Sequence, residues 1–205
     1  MTVFPTAYQP DFSHRDPAPG VDAALWQRWS PRSFRKVVIP TDTLTAIIDA
    51  ARWAPSCFNE QPWLILTASN PEDFALYLSL LAEKNQEWAG NASVLGFMVA
   101  RRHFAQNGKP NRWAAFDTGS AWMSLTMQAR AFGLYTHGMG GIKVEEVCQA
   151  LGIPEAEFEV ICGFAIGVVD SPDKLPSADL REREVLSERK PLAEIWRQGR
   201  FTDKP

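Results

Sequence analysis

The chain has 205 residues, 45% of them hydrophobic and 22% charged, with a formal net charge of −3, a size and balance expected of one globular domain with a full core. The longest nearly unbroken apolar run, Val160 to Val169, is about half of what a membrane-spanning helix needs, and the charge offers no broad basic face to a nucleic acid, so neither a membrane nor a nucleic-acid partner is expected. Cys57, Cys148 and Cys162 are odd in number and lack CxxC spacing, and His14, His103 and His137 share no metal-ligand spacing, which argues against disulfides and metal and for reduced thiols in the cytoplasm.

Residues 1–20 carry Pro5, Pro10, Pro17, Pro19 and Gly20 and no apolar stretch behind a basic start, so they read as an extended N-terminal arm and not a secretory signal, with 21–205 as the domain proper. Next comes Arg28-Trp29-Ser30-Pro31-Arg32. Arg28, Ser30 and Arg32 alternate, so in an extended segment two guanidinium forks and a hydroxyl face one ligand, a phosphate or a flavin pyrimidine edge. The same arrangement also suits a loop whose arginines meet water or carboxylates.

Pro40-Thr41-Asp42 offers helix-start chemistry, and Leu44, Ile47, Ile48 and Ala51 form one buried helical face that ends at Ala54-Pro55. The following loop, Ser56-Cys57-Phe58-Asn59-Glu60-Gln61, is dense in amides and leads into a strand at Trp63–Ala68, a place where ligands bind; Asn59 and Gln61 bonding their own backbone is the alternative. A helix is predicted from Pro71 to about Trp88, a strand over Ser93–Ala100, and a loop over Arg101–Asn111 flanked by Trp88, Phe104 and Trp113. Trp113–Phe132 is the longest helical pattern. It is apolar nearly all round and therefore expected to be buried, with Asp117, Ser120 and Ser124 on one face and Gly133 as its left-handed stop. A glycine turn, Gly138-Met139-Gly140-Gly141, leads to a short helix stopped by Gly152-Ile153-Pro154, and a third strand spans Glu159–Asp170. The polar C-terminal stretch ends on Pro191-Leu192-Ala193-Glu194-Ile195-Trp196, which reads as a docking arm. Strands interleaved with helices point to a layered α and β domain.

The pair R-x-S-x-R and, about twenty-five residues on, A-P-S-x-x-N-x-Q-P-W resembles the nitroreductase family of FMN-dependent enzymes. The resemblance also takes in Ala131-Phe132-Gly133-Leu134, Gly140-Gly141-Ile142, Leu151-Gly152-Ile153-Pro154 and Arg189-Lys190-Pro191-Leu192. It implies an α+β fold with a central mixed sheet flanked by helices, in an intertwined homodimer. It implies FMN held by Arg28 at the phosphate, by Ser30 and Arg32 at the ribityl and N1/O2 edge, and by Arg189 with Lys190 as C-terminal phosphate contacts. Pro55, Ser56 and Cys57 would approach from the neighbouring subunit, Asn59 and Gln61 would lie beside the ring, and Gly140 and Gly141 would present backbone N–H groups to flavin N5 and O4. Trp29 belongs to the same cofactor-binding segment, although many members have a second arginine there, and Cys57-Phe58 is bulkier than usual. No catalytic side chain is required: by this resemblance NAD(P)H reduces the flavin, which then reduces a nitroaromatic or quinone-type acceptor in ping-pong fashion. FMN fragmentation, reductive dehalogenation and flavin binding without turnover are the alternatives. Cys57 has no basic partner in sequence and reads as a packing or flavin-contacting thiol, not a nucleophile.

Overall fold

The computed structural model describes residues 3–6 and 8–200; the ends of the predicted arm and tail, with residue 7, lie outside them. The elements in chain order are α1 (Ala23–Trp26), β1 (Phe34–Arg35), α2 (Thr41–Ala51), β2 (Trp63–Ala68), α3 (Pro71–Ser79), α4 (Glu83–Ala89), β3 (Val94–Arg101), α5 (Ala114–Ala131), β4 (Tyr135–Met139), α6 (Val144–Leu151), β5 (Phe158–Val169), α7 (Ala178–Glu182) and α8 (Leu192–Ile195). The fold is α+β as expected. The sheet runs β1-β5-β3-β2, with β4 also on β5. Every described pairing is antiparallel, which corrects the expected mixed sheet.

Period-2 alternation divides β3 and β5 between two cores. Leu95, Phe97, Val99 and Ala165 face a layer holding Trp88, Tyr135 and Val147, whereas Val94, Met98, Phe164 and Ile166 face one holding Ile47 of α2 and Leu125 of α5. Both faces of these strands are therefore covered, which is why they read as unbroken apolar runs.

Three predicted elements changed on folding. The helix expected over Pro71–Trp88 starts as predicted, with Asn70 accepting from Asp73 N at 2.9 Å, but breaks between α3 and α4. Leu80 O accepts from Lys143 N and Ala82 N donates to Gly141 O at 3.0 Å, so the chain pairs with a distant loop and cannot continue the helical ladder. The glycine turn begins later than expected, because Tyr135–Met139 is a strand with His137 opposite Ala165. Helix α5 is buried on one face only: Ala121, Leu125 and Ala129 are sealed, but Phe116 is 72% exposed and Met123 36%.

The N-terminal arm is docked. Phe4 N donates to Phe132 O at 2.8 Å, and Gly133 takes φ +77° where a Cβ would stand 2.2 Å from Phe4 O, so only glycine fits this junction. Pro10 is buried, and Phe12 packs edge-on against Trp26 with ring centroids 6.1 Å apart.

Candidate flavin site

The Arg28–Arg32 segment is fixed from below by three groups. Trp29 points inward, 4% exposed, and its ring meets Tyr135 edge-on at 6.4 Å. His137 Nδ1 lies 2.8 Å from Pro31 O, its ring tilted against Trp88 with centroids 4.6 Å apart. Glu184 is buried, and its Oε1 accepts from Arg32 N at 2.7 Å and Ser33 N at 2.8 Å. With Trp29 turned in, alternation turns Arg28 and Ser30 to the other side, where Arg28 Nη1 donates to Ser30 Oγ at 3.1 Å. Arg32 bends toward the C-terminal segment, 3.7 Å from Glu184 Oε2 and donating to Arg183 O at 3.2 Å.

Positive charge gathers here. Burial, and then the charges of Arg189 and Arg15, hold the Arg28 guanidinium below its usual range. Among the described residues none of Arg15, Arg28 and Arg189 forms an ion pair. Burial, and further the charges of Arg32 and Arg28, push His137 down to about 4 against the opposing bond to Pro31, so the imidazole is neutral at physiological pH. Glu184 is raised by burial, with the Arg32 and Ser33 N–H groups and the Arg32 charge opposing.

The second predicted segment is a strained loop. Phe58, Asn59 and Gln61 hold φ of +54°, +55° and +49°, left-handed conformations that cost of the order of 1 kcal/mol or more each for residues with a Cβ. The loop is held by Cys57 N donating to the buried Asp117 Oδ2 at 3.0 Å, by Gln61 N donating to Ser56 Oγ at 2.9 Å, and by Gln61 Nε2 donating to Asn59 O at 3.1 Å. The Gln61 side chain therefore bonds within its own loop, whereas Asn59 takes part through its backbone N–H and carbonyl. Pro55 is exposed, and Phe58 is 79% exposed, touching Phe104 at 6.1 Å. Among the described residues no hydrogen bond or ion pair joins this loop to Arg28, Ser30, Arg32, Arg189 or Lys190.

The glycine turn follows His137 by three residues, so β4 ties it to the Arg28–Arg32 segment. Gly141 O accepts from Asn85 Nδ2 at 2.9 Å, and a Cβ on Gly141 would come 2.7 Å from that nitrogen. Nothing lies within 4 Å of where a Gly140 Cβ would stand, which leaves its backbone open to a close ligand.

Comparison with known proteins now adds to the geometry. The family model described as Nitroreductase family matches residues 25–77 and 75–168. The chain belongs to the nitroreductase family. A crystal structure of an oxidoreductase containing FMN superposes with a TM-score of 0.88 at 45% identity, over 93% of this chain and 97% of that one. A Thermus thermophilus protein named NADH dehydrogenase is 29% identical over 66% of this chain and 82% of its own. The CLA biosynthesis enone reductase of Lactiplantibacillus plantarum is 24% identical over 70% of this chain and 82% of its own.

Within this nitroreductase, the residues that fix the site differ from those that the motif displays. Glu184 was hidden in the charged run Arg181-Glu182-Arg183-Glu184, of which only Glu184 is buried. Asp117 was visible as a polar residue in an apolar helix, but its partner at Cys57 was not. Arg15 carried no signal in a proline-rich arm. Of the aromatics flanking the 101–111 loop, Trp88 is sealed in the core beneath His137 and cannot reach a substrate, whereas Trp113 is 42% exposed and Phe104 half-buried.

Proposed function

We propose that this nitroreductase is an FMN-dependent NAD(P)H oxidoreductase acting on small electron-poor acceptors of the nitroaromatic or quinone type by a ping-pong mechanism, as a homodimer. The observation that carries the reading is the convergence of Arg15, Arg28 and Arg189 without a described carboxylate partner, an arrangement that calls for a polyanion such as a phosphate. Bound FMN supplies the hydride chemistry; the protein supplies binding, orientation and electrostatics. Arg28 and Arg189, with Lys190 at the exposed edge, hold the phosphate. Ser30 and Arg32 orient the ribityl and N1/O2 side, where a guanidinium favours negative charge on the ring. The open backbone at Gly140 admits the ring closely, with Gly141 fixing the turn, and Trp29 anchors the segment from beneath.

In this reading Pro55, Ser56, Cys57, Asn59 and Gln61 complete the site of a partner subunit. The bare features of the monomer support that assignment: the loop makes no described bond to its own arginine cluster, and Phe58, Phe116 and Met123 leave an apolar face beside it. The groove of about 500 Å³ between α2 and β2, lined by Leu44, Ile48 and Ile65, suits an exposed apolar arm such as Leu192–Trp196 of that subunit. A cytoplasmic setting fits three free cysteines.

Purified protein should be yellow, release FMN on denaturation, elute as a dimer, and oxidise NADH or NADPH only when a nitroaromatic, quinone or enone is present under anaerobic conditions. Colourless protein that FMN cannot reconstitute would sink the reading.

A further inference from the structure

The reading above counts Arg15 among the converging cations but assigns the phosphate to Arg28, Arg189 and Lys190, and so gives the N-terminal arm no part in holding the cofactor. Arg15 Nη1 donates to Trp26 O and, at 2.9 Å, to Arg28 O, so the arm is clamped to the backbone of the very residue that opens the R-x-S-x-R segment. The Nε and Nη2 nitrogens of Arg15 are buried and find no acceptor among the described residues. A buried guanidinium N–H without an acceptor is costly, and at a full positive charge it is costlier still. Two further arginines stand close by: burial, and then the charge of Arg189, hold Arg15 below the usual guanidinium range. A third cation is thus held next to two others, its guanidinium over the Phe12 ring at 5.7 Å and two covered donors unpartnered, which is unfavourable unless an anion neutralises the cluster.

We propose that Arg15 is a third arginine of the cofactor-phosphate site, so that the N-terminal arm is a structural part of the anion site and docks in concert with the phosphate. The inference rests on FMN being the cofactor. The ligand chemistry is that of a phosphate monoester dianion. Its two negative charges match a site of three guanidinium groups better than a site of two, because each additional charge-assisted bond offsets repulsion among the arginines. Docking and phosphate binding must then favour each other equally, since coupling between two binding events is reciprocal.

The test compares FMN with riboflavin, which lacks the phosphate, on the flavin-stripped full chain. In fluorescence-quenching titrations Arg15→Gln should weaken FMN binding by about tenfold, the loss of one charge-assisted contact, and leave riboflavin binding unchanged. Equal weakening of both flavins would make Arg15 a mere fastener of the Arg28 backbone and overturn the proposal, as would no change in either. Should Arg15→Gln fail to fold, wild-type protein decides the matter, because Arg15 is the first trypsin site of the chain. FMN, and inorganic phosphate at high concentration, should slow cleavage after Arg15 while riboflavin does not; equal or absent protection refutes the inference. Wild-type protein that binds no FMN at all refutes the proposed function and this inference with it, whereas tight FMN binding that is indifferent to Arg15 refutes this inference alone.

Discussion

Replacing Glu184 with alanine should unfasten the Arg28–Arg32 segment. The Glu184 side chain is 0% exposed and its Oε1 is the acceptor for the backbone N–H groups of Arg32 and Ser33. Alanine leaves the buried Ser33 N–H and the part-buried Arg32 N–H without this partner, at ~1–3 kcal/mol for each donor, so the expected total loss is about 3 kcal/mol. For a chain of this length the melting midpoint should fall by roughly 6–12 °C. Glutamine behaves differently, since it keeps the acceptor oxygen and removes a charge whose burial raises the carboxyl pKa. Glu184→Gln should therefore stay within ~1 kcal/mol of the parent. Thermal and urea melts of flavin-stripped protein at one protein concentration measure both variants, and FMN titration should show weaker binding for Glu184→Ala than for Glu184→Gln. Two variants that melt alike, or an alanine variant that melts with the parent, would refute the idea that this carboxylate organises the segment.

His137 gives a pH dependence with a definite sign. Its folded-state pKa of about 4 lies below the unfolded 6.5, so its contribution is fully present above 6.5 and is lost as pH falls through 4, about 3 kcal/mol in all; urea melts of the parent between pH 7 and pH 4 should show this slope and His137→Gln should flatten it. Asp117→Ala should cost ~1–3 kcal/mol by orphaning the Cys57 N–H beneath the left-handed loop, and should raise the protease sensitivity of residues 55–62 while leaving cleavage near Arg28 unchanged. Gly140→Ala should leave the apoprotein's stability within ~0.5 kcal/mol of the parent, because its Cβ meets nothing, yet weaken FMN binding measurably; unchanged FMN affinity would remove the glycine turn from the flavin's surroundings.

Much of the architecture was legible from local patterns. Apolar runs at Trp63–Ala68 and Val160–Val169 announced strands, the second covered on both faces, and Gly133 and Gly152 stop their helices at φ +77° and +64°. The break at Leu80–Ala82 was not legible, since its cause is a backbone pairing with Gly141 and Lys143, some sixty residues away. Strand β4 was not legible, and its Gly138-Met139 end reads as turn, because its glycine-containing sequence has no alternation and only its pairing to β5 makes it a strand.

The arginine motif could be read because alternation in an extended chain is a local property: residues two apart share a side whatever surrounds them. Its chemical meaning could be read as far as an anion with an aromatic edge. Folding decided which side of the motif faces the ligand, by sinking Trp29 against Tyr135 and locking the backbone onto His137 and Glu184. It also brought Arg15 and Arg189, from opposite ends of the chain, to Arg28. Such groupings come from loop closure and packing between segments far apart in sequence, and no periodicity or composition within a single segment encodes them.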